Sequence, residues 1–160
     1  MNFTHKVLQP PVNKIRIDKQ SLTVRSHPDN LKKVQDFVRT QAKKSLVPDS
    51  TLMRLELIVE ELALNVINHG YRDRSDNITL SCKTDQTKQI KQSFILIIQD
   101  WGIPFNPLAK PDTDTSPDIE SRDPGGLGIL LTKQMGDILE YHHDGASNIL
   151  SVTIQYSPCT

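Results

Sequence analysis

Apolar and polar positions alternate loosely over residues 14–25, where Ile15, Ile17, Leu22 and Val24 mark one or two short strands. His27-Pro28-Asp29-Asn30 supplies turn and cap residues. Leu31, Val34, Phe37, Val38 and Ala42 then recur at helical spacing and predict a helix that closes near Ser45–Pro48. Asp49 or Ser50 is suited to cap a second, longer helix running to about His69, with Gly70 as its stop. Asn77–Lys83 and Ser93–Asp100 have strand composition, and the polar stretch Thr84–Gln92 between them suits a hairpin loop.

Residues 104–124 break the pattern. They hold five of the ten prolines, four aspartates and little that is apolar, so no regular element is expected there. Gly125 and Gly126 introduce a third helix, Leu127–Met135. Two last strands are expected around Asp137–His142 and Asn148–Tyr156, with a hairpin turn at Asp144-Gly145. This order of elements predicts an α/β fold with helices packed on one face of a single sheet.

Length and charge narrow the reading. The 160 residues make one domain, and nineteen basic residues cancel nineteen acidic ones, so no global field draws in nucleic acid or an anionic membrane. Cys82 and Cys159 are far apart and in no metal-ligand spacing, and are read as incidental reduced thiols. Met1–Pro11 has no apolar core of signal-peptide length. The longest apolar run, Phe94–Ile98, falls far short of the ~20 residues that span a bilayer. A soluble, cytoplasmic protein is expected.

The second helix carries two stripes. At 100° per residue, Leu52, Leu55, Val59, Leu62 and Val66 form a core face. Glu61, Asn65, Asn68 and His69 form a polar stripe between the apolar flanks of Leu57, Ile58 and Leu64, while Glu56 and Glu60 occupy an arc free to face water. A carboxylate and an amide so flanked are costly to bury unless something satisfies them. Lining a pocket would do so: the Asn65 amide oxygen suits Mg²⁺, and Glu61 would face what lies beyond the metal. A solvated helix face with Asn68 and His69 as capping groups is the competing reading.

Two further signals flank the irregular segment. Asp100, where an apolar strand ends, suits a turn, or accepts a hydrogen bond from a ligand such as a purine amine, with Gly102 allowing close approach to the backbone. Gly125-Gly126-Leu127-Gly128 opens a helix, where backbone N–H groups and the dipole favour an anion; a flexible turn fits equally. The intervening segment is long enough to serve as a lid, and Arg122 on it either reaches a terminal phosphate or pairs with Glu120 or Asp123.

Together these residues resemble the conserved boxes of the GHKL (Bergerat-fold) ATPases. Glu61-Leu-Ala-Leu-Asn65-Val-Ile-Asn68-His69-Gly70-Tyr71 looks like their N-box, Asp100-Trp-Gly102-Ile-Pro104-Phe105-Asn-Pro-Leu like their G1 box, and Gly125-Gly-Leu-Gly128 like their G2 box. Within that superfamily the His69-Gly70-Tyr71 ending and the Gly-x-Pro-Phe-x-Pro run resemble bacterial anti-sigma-factor serine/threonine kinases. Sensor histidine kinases usually show a second glycine where this chain has Pro104.

The resemblance implies a two-layer sandwich with a mixed, largely antiparallel sheet. It implies residues 1–20 as an N-terminal extension and 21–157 as the ATPase domain, with a lid at 104–124. ATP and Mg²⁺ are the implied cofactors, with Asn65 on the metal, Asp100 on the adenine amine, and the Gly126–Leu127–Gly128 turn on phosphates. His69, Gly102, Arg122 and, through water, Thr153 complete the implied nucleotide contacts. Glu61 matches the general base that activates a partner's serine. The implied partners are a STAS-type anti-sigma-factor antagonist and a sigma factor, with a homodimer as the usual state. A non-catalytic nucleotide-dependent regulator and a detached histidine-kinase ATPase domain are the alternatives; the second lacks a phosphoacceptor helix pair in this sequence.

Overall fold

The computed structural model describes residues 19–71, 76–88, 90–109 and 126–158. Five strands form one sheet: β1 (Gln20–Arg25), β2 (Asn77–Asp85), β3 (Gln92–Asp100), β4 (Ile138–His143) and β5 (Asn148–Tyr156). Their spatial order is β1-β2-β3-β5-β4, and every pairing among the described strands is antiparallel. The parallel pairing that a mixed sheet would need is absent from these strands.

Period-two patterning decides which side each residue serves. Phe94, Leu96 and Ile98 of β3 and Leu150, Val152 and Ile154 of β5 are buried on one face, under the helices. The opposite face is laced by hydroxyl pairs across strands, Ser21 with Ser81 and Thr23 with Thr79, each at 2.8 Å. Central strands therefore supply the core with one side only, as a two-layer fold requires.

Three helices cover that side: α1 (Leu31–Lys44), α2 (Asp49–Asn65) and α3 (Gly126–Met135). Val34, Val38 and Ala42 of α1 and Leu52, Leu55, Ile58, Val59, Leu62 and Ala63 of α2 are buried. α2 is capped by Pro48, with Asp49 in its first turn rather than as the cap itself. Beyond Asn65 the helix widens into a π turn, Val66–Gly70, before Tyr71 turns extended. The arc holding Glu56 and Glu60 does not simply face water. Glu56 pairs with Arg39 and Glu60 accepts from Gln35 Nε2, so both reach across to α1. A pattern on one helix carries no information about the neighbour that meets its polar arc.

The described part of the segment expected to be irregular, residues 104–109, holds a 3-10 turn at Pro107–Ala109, with Pro107 buried and Leu108 packed on the core. The Asp144-Gly145 hairpin forms as expected: Asp144 Oδ1 accepts from Ala146 N and Ser147 N, and Gly145 takes φ 92°. Those backbone N–H groups hold the Asp144 carboxyl below its usual range. The rest of the proposed lid with Arg122, most of the N-terminal extension, and Cys159 lie outside the described residues. No helix among the described residues is long and apolar enough to cross a membrane.

Candidate functional site

The inward stripes of β3 and β5 both end in a polar residue at the same edge of the sheet. Asp100 continues Phe94-Leu96-Ile98, Asn148 begins the run of Leu150-Val152-Ile154, and the two are register partners. Asp100 is 8% and Asn148 6% exposed. Buried polar groups need partners, and these have them. Asp100 Oδ1 accepts from Gly102 N at 2.9 Å and from Asn148 Nδ2 at 3.0 Å. Asn148 Nδ2 also donates to Ile103 O at 3.0 Å, while its Oδ1 accepts from Phe105 N at 3.1 Å and Tyr141 Oη at 2.7 Å.

This polar pair sits in the wall of a cavity of about 390 Å³, within the range of small-molecule sites. Leu62, Val66, Ile98, Ile129 and Leu150 give it an apolar interior. Asn65 and His69 line it from the helix side, and Ile103, Pro104 and Phe105 from the loop after β3. The polar stripe of α2 thus lines a cavity at these two positions, with Asn65 half-buried and His69 exposed at the rim. The π turn displaces the end of the helix just where it meets the cavity, a placement common at functional sites.

Gly102 serves the wall from behind. Ile103 N donates to Gly70 O at 3.0 Å, and a Cβ at Gly102 would lie 2.0 Å from that same oxygen. Only glycine lets the β3 turn press onto the end of the π turn. Tyr71 Oη adds a second tie, accepting from Trp101 N at 2.9 Å and donating to Asn77 O at 2.7 Å.

A family model described as the histidine kinase-like ATPase domain matches residues 24–154. The chain belongs to that family. No curated protein matches it. Membership makes ATP the ligand implied for the cavity of this ATPase domain.

The residues present fit a nucleotide. Asp100 Oδ2 has no hydrogen-bond partner and is not sealed off, which leaves a lone-pair acceptor for an amine above an apolar floor. The Asn65 amide likewise has no partner, and its oxygen is a hard donor on the wall. No cluster of three or more His, Cys, Asp or Glu that could hold a metal occurs among the described residues. A metal at Asn65 would therefore be shared with phosphate oxygens, the usual mode for Mg²⁺.

The other expected residues take varied positions in the ATPase domain. Glu61 is half-buried, makes no hydrogen bond or ion pair, and lies against α3, where a Cβ at Gly128 would be 2.1 Å from its Oε2. Gly126 is the first residue of α3, and Leu127 beside it is exposed, while Ile129 provides the cavity contact. Thr153 does not reach the cavity. It lies between buried Val152 and Ile154, so its side chain is on the helix-free face, and its carbonyl accepts from Asp137 N. Asn148 is the polar residue of β5 that reaches the site. Its signal was available: it is the one polar residue in the inward register Asn148, Leu150, Val152, Ile154 and Tyr156 apart from the tyrosine hydroxyl.

Proposed function

We propose that this ATPase domain is an anti-sigma factor and a serine/threonine protein kinase. In this reading it phosphorylates a serine of a STAS-type anti-sigma-factor antagonist in the bacterial cytoplasm, and in its other state holds a sigma factor, as a homodimer. The observation that carries the reading is Glu61. It is a half-buried carboxylate without a partner, one helical turn before the unpartnered Asn65 amide of the cavity wall and against the glycine turn of α3. A domain that only bound nucleotide would have no need to keep it there.

In this reading Asp100 Oδ2 would take the adenine amine, Asn65 would hold Mg²⁺, and the start of α3 would present backbone N–H groups to the phosphates. Bound Mg·ATP supplies the phosphoryl group and the neutralised charge that its transfer requires. Glu61 takes the proton of the partner's serine hydroxyl as that oxygen bonds to the γ-phosphorus and the bond to the leaving ADP oxygen breaks. A positioned base of this kind contributes roughly 10²–10⁴ in rate.

The test is incubation of the protein with labelled Mg·ATP and a STAS-domain substrate, beside the Glu61→Gln variant. The expected result is label on the substrate's serine with the wild type, and none with Glu61→Gln despite intact ATP binding. Nucleotide binding without any transfer would leave a non-catalytic, nucleotide-dependent regulator, and a fully active Glu61→Gln would remove the base assignment.

A further inference from the structure

A carboxylate on a strand end turns easily about its last torsion, and the direction it faces decides what it can recognise. Asp100 is held by two donors on the same oxygen, Oδ1. One is the backbone of its own turn; the other is Asn148 Nδ2. Asn148 in turn has every hydrogen-bonding site occupied: two from its N–H₂, to Asp100 and Ile103 O, and two on its oxygen, from Phe105 N and Tyr141 Oη. It has nothing left to offer a ligand. Its amide is fixed in orientation by this network, because flipping it would set N–H₂ against the Phe105 N–H and oxygen against two acceptors.

We propose that Asn148 is the positioning residue that sets purine choice in this domain. It holds Asp100 Oδ1 into the protein and so leaves Oδ2, a pure acceptor, facing the cavity. An acceptor fixed in that direction pairs with the exocyclic amine of adenine and meets the 6-oxo group of guanine acceptor to acceptor. A carboxylate released from Asn148 can rotate and take the N1–H and N2–H₂ donors of guanine as well. The inference rests on the reading of this cavity as the ATP site, and not on the kinase reading.

Asn148→Asp tests the mechanism without emptying the position. It places two carboxylates about 3 Å apart, and at the upper end of the pH range, where both are ionised, their repulsion undoes the hold on Asp100. On acidification the pair shares a proton, and the protonated partner again donates to Asp100. The other titratable groups around this point are Tyr141 and His143 on β4 and His69 on the π turn. The wild type titrated over the same pH range accounts for them.

The experiment is equilibrium binding of ATP and GTP to the wild type, Asn148→Ala and Asn148→Asp between pH 5.5 and 8, with far-UV circular dichroism to verify folding. The wild type is expected to prefer ATP. Asn148→Ala is expected to lose about tenfold in ATP affinity, the worth of one hydrogen bond to a charged group, while GTP changes less, so the preference narrows. Asn148→Asp is expected to bind ATP weakly at pH 8 and to recover towards wild type as the pH falls. Unchanged ATP affinity and preference in both variants would overturn the proposal. So would equal losses for ATP and GTP with no recovery in acid, the mark of a merely structural residue. A wild type that binds neither nucleotide would overturn the reading of the cavity itself.

Discussion

β3 and β5 share one register from end to end, yet their two halves do opposite work. In the middle, Phe94 faces the same side as its partner Ile154, and Leu96 the same side as Val152; all four are 0% exposed. At the edge, the same alternation delivers Asp100 and Asn148, which are almost as buried but polar. The middle is held by removal of apolar surface from water. The edge is held by five hydrogen bonds within one small network, and it leaves a carboxylate oxygen unused. One backbone pattern thus builds both core and site, and only the residue type tells them apart.

The sharpest way to separate the two halves is to truncate each. Phe94→Ala should cost about 3–5 kcal/mol of stability in urea denaturation. Phe94 lies six residues from Asp100 along β3, roughly 20 Å at strand rise, so nucleotide affinity of the folded fraction should be unchanged. Asn65→Ala should do the reverse. It removes no partner and should stay within about 0.5 kcal/mol of wild-type stability, but lose Mg·ATP binding. A stable Asn65→Ala that binds Mg·ATP as tightly as wild type would count against the whole site.

A smaller effect comes from the core alone. Burial pushes the Cys82 thiol from its ordinary 9.0 up to about 12. The folded protein should therefore resist thiol-reactive reagents at pH 8–9 at this position, and react only when unfolded. Because the folded form holds the proton more tightly, the associated stability is fully present below pH 9 and declines as the pH rises from 9 towards 12. Rapid labelling of native Cys82 at pH 8 would show that this part of the core opens.

The contrast also explains what was legible in the sequence. Helix and strand positions follow from periodicity, so α1, α2, β2 and β3 lie where the apolar spacing puts them. That Asn65, His69 and Asp100 line one cavity follows from where each polar residue falls at an element's end. The errors have physical causes. Thr153 was expected on the site from a motif, whereas parity along β5 turns it to the other face and leaves Asn148 to meet Asp100. Glu56 and Glu60 were expected in water because the arrangement of α1 beside them is a tertiary fact. A further constraint on Gly102, the room it leaves for Gly70 O, is tertiary and could not be read from the sequence.

The most direct test of the account is calorimetric titration of ATP, with Mg²⁺, into the wild type and Asp100→Asn. The substitution keeps the size of the side chain but replaces an acceptor oxygen with either a donor or a weaker acceptor. Saturable one-site binding is expected for the wild type and at least about tenfold weaker binding for the folded variant, the loss of one charge-assisted hydrogen bond. Equal affinities for the two proteins would contradict this.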